Sequence, residues 1–92
     1  MIVRILEDGQ YEVADQATDG LNEIDQRLAK AIDAGDDAAF NAELDALIDA
    51  VHRSGTRLDA TDLRPSDLAV PAAGSTLAEV KALLSQDGMN RD

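Results

Sequence analysis

Between Asp15 and Ser54 the chain carries two apolar stripes of helical period with a single break between them, a pattern that takes up much of a 92-residue sequence. Leu21, Ile24, Leu28, Ala31 and Ile32 recur at spacings of three and four, and so do Phe40, Leu44, Leu47, Ile48 and Val51. Such spacing sets side chains along one face of an α-helix. The break falls at Ala34-Gly35-Asp36. Gly35 can adopt the left-handed conformation that closes a helix, and Asp36 or Asp37 can cap the next by accepting from its free N–H groups. The pattern predicts an antiparallel helical hairpin with one apolar seam. The second stripe is accompanied by a file of alanines at 38, 42, 46 and 50. It is open to two readings, simple helix propensity or a close approach for a further helix.

Met1 to Val13 predicts a β-hairpin. Ile2-Val3-Arg4-Ile5-Leu6 is apolar and β-branched, Asp8-Gly9 suits a two-residue turn, and Tyr11-Glu12-Val13 returns. A turn at Asp8-Gly9 would put Leu6 opposite Tyr11, Arg4 opposite Val13 and Ile5 opposite Glu12. One face would then carry Ile2, Leu6, Tyr11 and Val13, and the other Met1, Val3 and Ile5. A lone two-stranded ribbon is marginal, so the helical hairpin is expected to cover one face while a third strand or a partner supports it. Thr18 is a plausible cap that would delay the first helix. Gly55 is expected to end the second helix, near His52 and Arg53.

Pro65 and Pro71 interrupt residues 55–74 and exclude a continuous helix there, while Asp67-Leu68-Ala69-Val70 suits a short third strand. Thr76-Leu77-Ala78-Glu79 matches a capping box. With Leu77, Val80, Leu83 and Leu84 it predicts a final helix over 76–86, and residues 87–92 are expected to fray. The expected architecture is a single α+β domain over 1–92: a β-hairpin at 1–14, a helical hairpin at 15–54, an extended stretch at 55–74 and a short C-terminal helix.

Charge narrows the function more than any motif does. The net charge is −11, and the hairpin holds Asp15, Asp19, Glu23, Asp25, Asp33, Asp36, Asp37, Glu43, Asp45 and Asp49 against Arg27, Lys30 and Arg53. Phosphate backbones and anionic headgroups repel such a surface, which argues against nucleic acid and against direct membrane adsorption. An acidic helix face either keeps a protein solvated or docks a basic partner. There is no cysteine, which removes disulfides, thiolate metal sites and thiol catalysis and fits a reducing cytosol. No run is long enough for a membrane span, and the apolar N-terminus is too short for a signal peptide.

Catalytic and metal chemistry find little support. Asp15 to Gly20 begins like a calcium loop, but Ala17 and Gln26 stand where its third and twelfth positions need oxygen ligands and a bidentate Glu. Asp33, Asp36 and Asp37 suit capping better than cation binding. His52 is the sole histidine, and no serine is spaced to use it as a base. Asp45 and Asp49 stand one turn apart without an apolar pocket to separate their pKa values. No enzyme, cofactor or metal is expected.

Met1-Ile2-Val3-Arg4-Ile5, Gly9-Gln10-Tyr11-Glu12-Val13, Ala34-Gly35-Asp36, Leu63-Arg64-Pro65-Ser66-Asp67-Leu68 and Thr76-Leu77-Ala78-Glu79-Val80 together span nearly the whole chain. In this order they resemble the phage-shock-protein-A-associated family, PspAA. Gly9-Gln10-Tyr11 with Pro65-Ser66-Asp67-Leu68 is the most distinctive combination. The resemblance implies a small non-enzymatic accessory protein of the envelope-stress response that associates with PspA, a long helical membrane-remodelling protein of the ESCRT-III-like class. It implies a cytoplasmic location, with recruitment to the inner face of the membrane through that partner. Candidate partner-binding residues are the acids Asp25, Asp33, Asp45 and Asp49, or Val3 and Ile5 on an uncovered strand face. The alternative is a self-assembling module that forms a homodimer through strand edges or a spare apolar face.

Overall fold

The computed structural model describes residues 1–82. Its elements run β1 (Ile2–Ile5), β2 (Gly9–Val13), α1 (Asp15–Ala34), α2 (Asp37–Ser54), β3 (Gly55–Arg57) and β4 (Leu68–Val70). A short helix, α3, occupies residues 77–82. The fold is the expected α+β. The remainder of the helix expected to reach residue 86, and the end expected to fray, lie outside the described residues.

The four strands form one sheet in the order β3-β2-β1-β4, with β4 parallel to β1 and the other pairs antiparallel. β4 coincides with the expected third strand. β3 was not anticipated: Gly55 does end α2, but at φ −103° and ψ 159° it leads straight into a strand instead of a left-handed cap.

The ribbon's register differs from the expected one. Ile2 pairs with Glu12, Val3 with Tyr11, Arg4 with Gln10 and Ile5 with Gly9. The turn is made by residues 6–8, closed by the Asp8 N–H donating to the Ile5 carbonyl at 3.0 Å, with Glu7 taking the positive φ of 64°. The physical reason is face matching. A change of register by an odd number of residues exchanges the two faces of one strand relative to its partner, and this register sets Val3, Ile5, Tyr11 and Val13 on one side. All four join a single core with Leu21, Leu28, Phe40, Leu44, Leu47, Ile48, Val51, Val70, Leu77 and Val80. Val3 and Ile5, expected on an uncovered face, are 0% and 1% exposed and therefore offer no surface to a partner.

The hairpin closes much as its sequence predicts. Gly35 has φ 68° and donates its N–H toward the carbonyls of Ala31 and Ile32. Asp36 caps α2, its carboxylate accepting from the Ala39 N–H at 3.1 Å. Arg27 and Glu43 join the two helices at 3.0 Å. Thr18 is not a cap: α1 starts at Asp15, and the Thr18 hydroxyl donates back to the Ala14 carbonyl. Before α3, the Thr76 hydroxyl accepts from the Glu79 N–H and donates to the Glu79 carboxylate, both at 3.1 Å.

Alternation along β1 and β2 sends Arg4, Gln10 and Glu12 to the sheet face away from the helices, and the segment between β3 and β4 is tied to that side. The Gln10 side-chain amide donates to the Arg64 carbonyl at 3.3 Å, and the Arg64 guanidinium reaches Glu12 at 3.4 Å. Asp67 makes a two-way clamp, its carboxylate accepting from the Ile2 N–H at 2.8 Å while its own N–H donates to the Ile2 carbonyl at 2.7 Å. Gln10 and Asp67, which belong to the two segments that most distinguish the sequence, fasten the irregular stretch between β3 and β4 to the sheet.

Candidate functional site

The acids singled out in the sequence stay on the hairpin. Asp33 and Asp45 are exposed, Asp25 is half-buried, and Asp49 is 64% exposed and pairs with Arg53 at 3.0 Å. Asp45 and Asp49 follow one another along α2. Asp25 and Asp33 are eight residues apart, which turns them roughly 80° from each other around α1. The four spread over the outside of the hairpin and do not converge on a common point. Among the described residues no group of three or more His, Cys, Asp or Glu side chains is placed to hold a metal ion.

The most connected carboxylate is one that sequence reasoning assigned only to a turn. Asp8 accepts from the Tyr11 hydroxyl at 2.8 Å and from Arg57 at 3.3 Å, and it meets His52 Nε2 at 2.7 Å. Arg57 also donates to the Asp8 carbonyl at 2.7 Å. The Tyr11 and His52 rings stand 5.2 Å apart, with the Arg57 guanidinium 5.9 Å from the Tyr11 centroid. The chain's one tyrosine and one histidine thus meet at the β1–β2 turn and lock it to the end of α2 and to β3. That pairing is the clue the sequence held, although nothing in its spacing linked residues so far apart. The Asp8 contacts described tie the β1–β2 turn to β2, to α2 and to β3.

These contacts set the protonation of the cluster. The His52 hydrogen bond, followed by that of Tyr11, holds the Asp8 carboxyl below the usual carboxylate range, while burial and then Asp8 itself push the Tyr11 phenol up. Asp59 is lowered by the Thr61 backbone N–H, and Asp62 by the Arg64 side chain. A carboxyl depressed in the folded state contributes stability that is present above its unfolded value, about 3.9, and is lost as pH falls through the lower folded value. Thermal melts of the wild type are expected to weaken on acidification below about pH 4, with a shallower acid slope for Asp8→Asn. An identical slope in the two proteins would show that Asp8 gains nothing from its neighbours.

The side of the sheet away from the helices bears an open groove of about 810 Å3 between the strands and the β3–β4 segment, lined by Arg4, Gln10, Leu58, Leu63 and Ser66 among others. Leu63 is 92% exposed, and the only other large apolar side chain that is exposed among the described residues is Leu6, at 41%. No helix among the described residues is long and apolar enough to cross a membrane.

Neither a curated protein nor a solved structure matches the chain. A family model does. The ribbon, the hairpin with its Ala34-Gly35-Asp36 turn and the Asp67 clamp are built from the segments that carry the sequence resemblance, and the family model described as PspA-Associated protein matches residues 1–92, so the chain belongs to the PspA-associated family.

Proposed function

We propose that this protein is a small, non-enzymatic adaptor that binds a PspA-like, ESCRT-III-like helical protein in the envelope-stress response. On this reading it works in the cytoplasm and reaches the inner face of the membrane only through that partner. The observation that carries the reading is family membership over the whole chain. The acidic hairpin agrees with it, because a helical protein that works on anionic membranes needs basic patches, and an acidic surface can compete for them. Asp25, Asp33, Asp45 and Asp49 are the residues we assign to that contact.

The test uses the purified PspA-like protein of the same organism. Reversing all four acids to lysine is expected to weaken binding by about 100-fold, and raising the salt is expected to weaken the wild-type complex. Circular dichroism checks that the variant keeps its helices. Affinity unchanged by both salt and charge reversal would remove the hairpin as the docking surface. Self-association through the sheet edges has less behind it, since β3 and β4 have three residues each and Pro71 follows β4 directly.

A further inference from the structure

Residues 59–66 stand apart from the core. Asp62 and Ser66 are half-buried and the other six are exposed, Leu63 at 92%, and neither Ala60 nor Leu63 takes part in the apolar cluster. Their order comes from bonds inside the segment. The Asp62 N–H donates to the Asp59 carbonyl at 2.9 Å, and the Asp59 carboxylate accepts from the backbone N–H and the hydroxyl of Thr61 at 2.9 and 3.0 Å. The Asp62 carboxylate accepts from the Arg64 N–H at 3.0 Å and from its guanidinium at 2.8 Å. Two successive turns brace the segment from within.

Its attachment to the sheet is sparse by comparison. At one end the Leu58 N–H donates to the Gln10 carbonyl at 2.9 Å, and at the other Asp67 clamps Ile2. Between these anchors, among the described residues, Arg64 alone is hydrogen-bonded to the sheet: its carbonyl accepts from the Gln10 side-chain amide at 3.3 Å, and its guanidinium donates to the Glu12 carboxylate at 3.4 Å. Both bonds are long, and an exposed ion pair adds little stability. Beneath the segment lies the open groove of about 810 Å3. A stretch with few bonds to its surroundings and no part in the core opens well before a domain unfolds.

We propose that residues 59–66 are a strap that lifts off the sheet while strands, hairpin and core stay folded, hinged at Leu58 and Asp67 and latched by Arg64. The latch has two parts, because the carbonyl and the guanidinium of one residue close on Gln10 and Glu12, two positions apart on the same face of β2. Lifting the strap uncovers that face at Arg4, Gln10 and Glu12 and turns the groove into open surface. The device gives the sheet a closed and an open state separated by far less than global unfolding. It goes beyond the adaptor reading and does not depend on it.

The experiment follows native-state cleavage of the whole protein by chymotrypsin, with mass spectrometry to place the cut and urea to vary stability. When reclosing outpaces cutting, the rate reports the population of the open form. The wild type is expected to be cut first after Leu63 or Leu58, at a rate that rises with urea much less steeply than global unfolding does. Gln10→Ala and Glu12→Ala, which leave the cleaved segment itself unaltered, are each expected to speed that cut about threefold, and the double variant about tenfold. Arg53→Ala, an exposed change on α2, is expected to leave it as in the wild type, and thermal melts confirm that each variant keeps its fold. A cut whose urea dependence equals that of global unfolding would show that the segment opens only with the whole domain, and the strap would be overturned. Cutting at the wild-type rate in the double variant would overturn the latch. A first cut outside residues 58–66 would overturn both.

Discussion

Phe40→Ala is expected to destabilise the protein by about 4 kcal/mol, the range for deleting a fully buried aromatic side chain when its surroundings relax only in part. Phe40 is 0% exposed and heads the largest fully enclosed side chains. It belongs to the one apolar cluster that joins sheet, hairpin and α3. A domain of this length has a total stability of roughly 5–14 kcal/mol, so a single substitution removes a large part of it. At about 4–8 °C per kcal/mol, the midpoint of thermal unfolding is expected to fall by at least roughly 15 °C. Since one core serves all the elements, helix and tertiary signals are expected to disappear together. Phe40→Leu, which keeps most of the volume, is expected to cost about 1 kcal/mol. An alanine variant that melts within a few degrees of wild type would place Phe40 outside the core.

The second large effect is at the junction of α2 and β3. A methyl group added at Gly55 would stand 2.7 Å from the Val51 carbonyl oxygen, 3.1 Å from Tyr11 Cβ and 3.3 Å from Val13 Cγ2. The nearest obstacle is backbone, held in place because the Gly55 N–H donates to that same carbonyl. No side-chain rotation relieves such a contact. Gly55→Ala is therefore expected to cost about 3 kcal/mol, toward the upper end for overpacking, even though φ −103° suits alanine. Displacement of β3 would also carry Arg57 away from Asp8 and Tyr11. Tyrosine fluorescence reports this directly, since the chain has one tyrosine and no tryptophan. A variant with wild-type stability and an unaltered tyrosine signal would mean that the helix end and β2 are not so closely apposed.

Much of this architecture was legible because it is written in local periodicity. The apolar spacing of α1 and α2, the Gly35 turn, the Asp36 cap and the Thr76 hydroxyl cap each depend on residues within a few positions of one another. What escaped was set at a distance. The ribbon's register turned on which side of the strands the helices would cover, and that preference outweighed the Asp8-Gly9 signal, putting Glu7 in the conformation usually left to glycine. β3 has too few residues for any alternation to show. Val3 and Ile5 were misplaced by the same register shift. Asp8, His52 and Arg57 became neighbours only through folding, while the exposure of Leu63 depends on the side-chain hydrogen bonds that hold the segment around it.

The parallel partnership between β1 and β4 also bears on how the molecule is made. The strand that completes β1's open side leaves a ribosome some sixty residues after β1 itself. Until then a nascent chain carries a bare, apolar backbone edge, the kind that recruits strands from neighbouring chains. Shortened products that stop after α2 would keep that edge permanently. They are the species in which aggregation should first be looked for, however soluble the finished protein proves.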